Sequence, residues 1–341
     1  AVQPYLLQMW NALKRCNMKI YGNHNLIRTL ETMTERDRTA HTVLFYGENG
    51  TGKKTIAEYY IHLLMCNDKK DGKPCFNCKA CHNISDNIHP DVITAEKSGK
   101  LGGYSVETVK KICSDVFIRP NNSDKKVYIF KDCNNMDERS QNTLLKIIEE
   151  PPEYAYFIFT AESKSAFLPT VLSRCVSFGT SPCTDEECIL ALSEHGISRN
   201  QAENAVECFH GNIGKCIDFN ENENLKEIID TVRLATDSLI KKDEYSFACN
   251  ISKSAKNRDE IKTVLTMLDR IAGDSVKLNY DKNASLSGCY KDGAERLSEM
   301  LTLNSGNRIH EIIEKCWRAV SANVNASLAL SAMCGEIFEI I

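Results

Sequence analysis

The sequence predicts an α/β domain followed by an all-helical region, and three observations carry that expectation. A glycine-rich turn, Gly47-Glu-Asn-Gly50-Thr-Gly52-Lys53, joins an apolar strand to a helix start. Short apolar strands alternate with amphipathic helices from residue 43 to 178, and after Pro182 only helical periodicity remains. Such alternation argues for a parallel sheet covered on both faces, because strands buried on both sides read as near-continuous apolar runs.

Bulk properties narrow the class. At 341 residues the chain exceeds one small core, so two or three domains are expected. Its net charge of −4 gives no basic field, so any nucleic-acid contact must come from a local patch or a partner. No run of about 18 apolar residues and no charged start followed by an apolar stretch is present, which points away from a membrane and to the cytosol. Of the sixteen cysteines, twelve are scattered singly and four cluster, as in a chain whose thiols stay reduced.

In chain order, residues 3–18 and 24–37 place Leu6, Leu7, Trp10 and Leu13, then Leu26, Ile27, Leu30 and Met33, at helical spacing. The strand Val43–Tyr46 leads into the glycine-rich turn, and a helix runs from Lys53 to Met65. In the pattern G-x-x-x-x-G-K-[ST], glycines let backbone N–H groups approach phosphate, the lysine reaches the phosphate oxygens, and the next hydroxyl holds Mg²⁺. Gly47, Gly50, Gly52, Lys53 and Thr55 are therefore candidate phosphate contacts, but Lys54 stands at the hydroxyl position. An ammonium there repels a metal, so ATP binding is in doubt and Mg²⁺ is not expected. Lys53 carries two readings: a phosphate contact, or part of a rigid turn that has lost its ligand.

Cys66, Cys75, Cys78 and Cys81 follow at C-x8-C-x2-C-x2-C spacing. Four thiolates can close a tetrahedral Zn²⁺ shell with no position left for substrate, which predicts a structural clip on the polar loop 67–74. The alternative is four free thiols or disulfides. His62, His82 and His89 lie nearby but are not needed to complete the count.

A strand over Asp91–Ala95, a Gly/Lys-rich loop at 98–103 and a helix over Ser105–Phe117 come next; Lys97 and Lys100 read as a solvated basic turn. The apolar run Lys126–Phe130 is a buried strand. Where a hydrolysing site places an acidic pair for metal and water, this strand ends in Lys131-Asp132. A helix from Glu138 to Glu150 stops at Pro151-Pro152, and Glu149 and Glu150 read as helix-terminal charges. After the strand Tyr156–Thr160 comes Leu172-Ser173-Arg174-Cys175. Three short helices over 184–220 break at Gly196 and Gly211, and longer ones follow from Glu223, interrupted near Asn279–Ser287 and Asn304–Asn307.

Together the Gly47–Lys53 turn, the four cysteines, the phrase Asn142-Thr-Leu-Leu-Lys-Ile-Ile-Glu-Glu-Pro-Pro152 and Leu172–Cys175 resemble the clamp-loader family of bacterial DNA polymerase III, within the AAA+ superfamily. The likeness is strong over about residues 20–180 and is by helical pattern beyond. It implies an AAA+ sheet domain over 1–180 with a zinc module at 66–81, a three-helix lid over 181–235 and a helical collar over 236–341. The family's τ/γ motor subunits carry an intact phosphate loop, an acidic pair and a lid arginine. This chain departs at all three, with Lys54, Lys131-Asp132 and Gly214, and is most similar to the non-hydrolysing δ′ branch. The likeness implies that Arg174, with Ser173 and Cys175 as its motif, projects to a neighbouring motor subunit's nucleotide. Taken alone, an arginine at this place reads as half of an ion pair. Implied partners are τ/γ and δ subunits and, through the complex, the sliding clamp and primed DNA. Two other readings stand beside it: an active τ/γ-type ATPase, and a zinc-dependent nucleic-acid binding module.

Overall fold

The computed structural model describes residues 18–99, 102–253, 257–322 and 324–341; the helix expected over 3–18, and Lys100, lie outside them apart from Met18. A first compact unit ends at Cys183 and a second begins at Thr184.

The first unit runs α1 (His24–Glu35), β1 (Thr42–Tyr46), α2 (Lys53–Met65), α3 (Lys79–Ser85), β2 (Val92–Thr94), α4 (Val106–Asp115), β3 (Lys126–Phe130), α5 (Glu138–Glu149), β4 (Ala155–Ala161), α6 (Pro169–Leu172) and β5 (Val176–Gly179). Its five strands are all parallel, in the order β2-β3-β4-β1-β5. Residues 42–46 of β1 pair with 157–161 of β4, and 43–46 pair with 176–179 of β5.

Period-2 alternation sorts each strand onto two faces. Leu44, Tyr128, Phe130, Phe157 and Phe159 point to one core, shared with Val109 and Ile112 of α4 and Leu144, Ile147 and Ile148 of α5. Val43, Phe45, Val127, Ile129, Tyr156 and Ile158 point to the other, shared with Leu30 of α1 and Ile56, Ala57, Tyr60 and Leu63 of α2. Each connection therefore crosses with a helix, and the three inner strands β1, β3 and β4 are buried on both faces. The first core is aromatic at its centre: Phe130 stacks on Phe159 at 5.0 Å, and Phe159 meets Phe167 edge-on at 5.6 Å.

Local chemistry sets the helix ends. Ser105 accepts from Thr108 N at 3.2 Å to start α4, and Asp137 Oδ1 accepts from Ser140 N at 2.6 Å to start α5. The Pro151-Pro152 stop ends α5 one residue before the expected Glu150. At the opposite end of the sheet from the glycine turn, the buried Asp91 carboxylate accepts from Asn121 N (2.6 Å) and Asn122 N (2.8 Å), pinning the loop that enters β3.

The second unit is helical: α7 (Asp185–Glu194), α8 (Arg199–Phe209), α9 (Ile213–Glu221), α10 (Glu223–Ile240), α11 (Glu244–Lys253), α12 (Arg258–Tyr280), α13 (Lys291–Ser298), α14 (Leu303–Ser321) and α15 (Ala326–Phe338). Gly196 and Gly211, both at positive φ, separate the first three as expected. The division expected at 235/236 falls inside α10, and Cys208 of α8 shares one apolar core with α10–α15. The interruption expected at Asn304–Asn307 is not there, because these residues lie within the first five positions of α14. Thr302 and Ser305 build a capping box, so the break lies just before them. Among the described residues no helix is long and apolar enough to cross a membrane.

Phe159→Ala should destabilise the protein by about 3–5 kcal/mol, a loss measurable by denaturant unfolding, because the ring fills the centre of a closed core. A cost under about 1 kcal/mol would mean that this core is loosely packed.

Candidate functional site

The carboxyl ends of β1, β3, β4 and β5 converge on one crevice, where β1 lies between β4 and β5 and the chain changes direction across the sheet. In open α/β sheets such a switch point is where ligands sit. Gly47, Gly50 and Gly52 hold φ values of +152°, +88° and +84°, which L-residues with side chains resist. A Cβ on Gly47 would lie 2.4 Å from Thr180 Oγ1 just past β5, whereas one on Gly52 would meet nothing within 4 Å. The turn is therefore clamped on the sheet side and open at its mouth. Thr51 Oγ1 donates to Glu48 O and lies 2.7 Å from Thr180 Oγ1, bracing the turn from within.

Lys53 opens α2 and is buried, and its Nζ donates to Gly47 O (2.7 Å) and Glu48 O (2.9 Å). Desolvation lowers its pKa, opposed by the charges of Glu162 and Asp132. Thr55 stands half-buried two residues on. Lys54 Nζ reaches across to Asp132 Oδ2 at 2.8 Å, and Lys97 Nζ approaches the same oxygen at 3.5 Å. Burial pushes the Asp132 carboxyl up, but the two lysines outweigh it and hold the group below its usual range. Lys131, beside it, gives its carbonyl to Tyr104 Oη at 2.7 Å. Lys54 and the Lys131-Asp132 pair, read separately in the sequence, are thus joined by a single ion pair, and Lys97 of the supposedly solvated turn shares in it.

Glu162 escaped the sequence reading. It lies one residue past β4, and its Oε1 accepts from Asn49 (2.6 Å) and Asn134 (3.1 Å), tying the turn to the segment after β3. A polar residue just beyond the carboxyl end of the strand next to the glycine turn was the available signal.

The four cysteines come together. Their sulfurs lie within 4.8 Å of one another, with Cys66–Cys75 at 3.5 Å and Cys66–Cys78 at 4.0 Å. Bonds of about 2.3 Å to one Zn²⁺ put tetrahedral sulfurs roughly 3.8 Å apart, so the donor set fits that ion. Backbone N–H groups of Asn77 and Cys78 turn onto Cys75 Sγ at 3.4 and 3.2 Å, and Cys75 N onto Cys66 Sγ at 3.3 Å. Burial opposes ionisation of Cys78, but N–H groups of Cys81 and Asn67 and the neighbouring thiols bring it down to about 6. Burial raises Cys66 and Cys81, which would deprotonate only against a cation. No histidine joins the cluster among the described residues. His62 is fully buried against Phe76, 5.0 Å between rings, and burial lowers it to about 4. Neither of its ring nitrogens has a hydrogen-bond partner among the described residues.

Arg174 lies at the other end of the sheet, two residues before β5. Its Nη2 contacts Glu149 Oε1 at 3.0 Å, and its Nη1 donates to Thr170 O (2.9 Å) and Ser173 Oγ (3.3 Å). Glu149, read as a helix-terminal charge, is thus also half of an ion pair, while Cys175 is a half-buried thiol that desolvation pushes up to about 12. The segment is held from below by Gln141, buried, whose Nε2 donates to Met136 O and Ala166 O (both 2.9 Å) and whose Oε1 accepts from Leu168 N (2.7 Å). Gly214 lies in the first turn of α9.

Residues 22–184 match the family model described as DNA polymerase III, delta subunit. The DNA polymerase III subunit gamma/tau of Mycoplasma pneumoniae is 32% identical over 157 residues, 46% of this chain and 22% of that one. The subunit delta′ of Bacillus subtilis is 25% identical over 203 residues, 59% and 60% of the two chains. Among solved structures, the Bacillus subtilis DNA clamp loader delta protein aligns over 92% of this chain and 99% of its own, at 10% identity and a TM-score of 0.36. The chain spans about a quarter of the length of the gamma/tau and tau relatives it matches.

Purified without chelators, the protein should carry about one zinc by elemental analysis. Cys78→Ser should lose it and open the 67–74 loop to limited proteolysis; full metal retention in that variant would exclude the four-thiol shell.

Proposed function

The chain is a member of the DNA polymerase III clamp-loader family, and from that premise we propose that it acts as a δ′-type subunit of the loader. In this reading it does not hydrolyse ATP itself. It supplies Arg174 to the nucleotide of an adjacent τ/γ motor subunit and an assembly surface from its C-terminal helices, about 236–341, with residues 181–235 as the lid. With a δ subunit it helps to seat the sliding clamp on primed DNA. The cysteine cluster holds a structural zinc that closes the 66–81 insertion.

The observation that carries the reading is the Lys54–Asp132 contact. Hydrolysis needs oxygen ligands for a metal ion after Lys53 and at the first residue past β3; Lys54 and Lys131 offer none, and the Asp132 carboxylate is engaged by the Lys54 ammonium. Arg174 supports it from the opposite end of the sheet. Because Val43 pairs with Val176 and Tyr46 with Gly179, the glycine turn leaves β1 at one end while Arg174 precedes β5 at the other. Those three strand steps alone span roughly 10 Å. An arginine so placed is positioned away from its own chain's turn, and its ion pair with a half-exposed glutamate is weak enough to exchange for a phosphoryl group.

The higher identity to gamma/tau relatives favours one competing reading, an active motor. Steady-state hydrolysis by the isolated chain, abolished in Lys53→Ala, would establish that reading instead.

Arg174→Ala should leave the folded chain intact while cutting the ATPase of an assembly reconstituted with τ/γ and δ subunits by at least about tenfold, since a trans arginine contributes roughly 10³–10⁵ in such sites. Unchanged turnover of the assembly would refute the finger.

A further inference from the structure

A phosphate loop of this family implies a divalent cation, and the residues here do not fit one. The two groups that would hold it are the residue after Lys53 and the first residue of the pair just past β3. They are Lys54 and Lys131, and the second of the pair, Asp132, is already in contact with Lys54 at 2.8 Å, with Lys97 3.5 Å from the same oxygen. An ammonium has no lone pair to give a metal and repels it, and the Asp132 carboxylate is shared between two lysines.

We infer from this disagreement that the loop takes a nucleoside polyphosphate without a divalent cation, with the Lys54 ammonium supplying the charge that a metal supplies elsewhere. The inference rests on the reading of the chain as a non-hydrolysing subunit and goes beyond it, because loss of hydrolysis does not by itself require either binding or freedom from metal.

Three features carry it. The backbone cradle has kept its shape: three glycines at positive φ, a buried lysine at the helix start and an open mouth beside Gly52. Among the described residues the hydrogen-bond acceptors of Lys53 Nζ are the Gly47 and Glu48 carbonyls, neutral groups that a phosphate oxygen can replace with a charge-assisted bond. Lys54 is 62% exposed, and Asp132 has Lys97 as a second partner, so Lys54 can swing to a phosphate without leaving the carboxylate unpaired. Lys53, Lys54 and Lys97 against Asp132 and Glu162 leave one net positive charge around the turn. Metal bound to the polyphosphate would compete with these ammonium groups for the same oxygens.

Binding of ADP and ATP to the full chain, measured by calorimetry with and without magnesium, tests this; no chelator is added, so that the cysteine cluster is undisturbed. The expected result is an affinity without magnesium equal to or tighter than with it, lost in Lys53→Ala. Lys54→Thr should weaken metal-free binding by about tenfold or more and make binding magnesium-dependent, with its fold checked by circular dichroism. Wild-type binding that falls about tenfold when magnesium is omitted would overturn the inference, and so would a Lys54→Thr variant with unchanged metal response. Absence of ADP and ATP binding under both conditions would also overturn it, yet leave the subunit reading intact, since that stands or falls on assembly with τ/γ and δ subunits.

Discussion

Lys54 meets Asp132 across the carboxyl ends of β1 and β3, and what the crevice can do follows from that contact. Each side chain alone is ordinary. An exposed lysine on a first helical turn is even mildly unfavourable, because the helix N-terminus is already positive. The carboxylate opposite makes the position tenable, and the lysine in turn holds the carboxylate ionised against its burial. Neither has a reason to be where it is without the other, and together they take up the place at which metal-assisted phosphoryl transfer would begin.

The contact depends on the sheet beneath it. Thr160 Oγ1 of β4 accepts from Asp132 N at 2.8 Å, and Asp132 adopts φ +52° directly after the buried Phe130 and half-buried Lys131. The carboxylate is therefore aimed by a backbone conformation that the aromatic core below, Phe130 on Phe159, holds in place. On the other side of the crevice the Gly47 turn is fixed by its close approach to Thr180. Rigid strand ends supply the precision, and the charged residues on them supply the chemistry.

Much of this was legible in the sequence because it rests on local rules. Strand and helix alternation, the glycine breaks at 196 and 211 and the proline stop after α5 depend on near neighbours only. The cysteine cluster was legible for a similar reason, since x2 spacing constrains where consecutive sulfurs can turn. What the sequence hid were pairings set by strand order. Nothing in the chain near residue 54 names residue 132, and Glu149 gave no sign of Arg174, because both pairs are made across crossovers. Asn304 and Asn307 misled for the opposite reason: two asparagines read as a break, but the Thr302–Ser305 capping box starts the helix ahead of them, and each costs little in intrinsic helix propensity.

The sheet also separates two chemistries along its own length. At the carboxyl end lie backbone amides and lysines suited to a polyphosphate; at the amino end of β5 lies one guanidinium, braced by Gln141 through the loop ahead of α6 and paired with Glu149. A parallel sheet cannot fold one end onto the other, so in a single chain these two parts stay apart. On the proposed function they become complementary when subunits of this fold stand side by side, the arginine of one at the crevice of the next. This chain then retains the half of the exchange that faces outward, and the Lys54–Asp132 contact leaves its own crevice with an ammonium where hydrolysis needs an oxygen ligand.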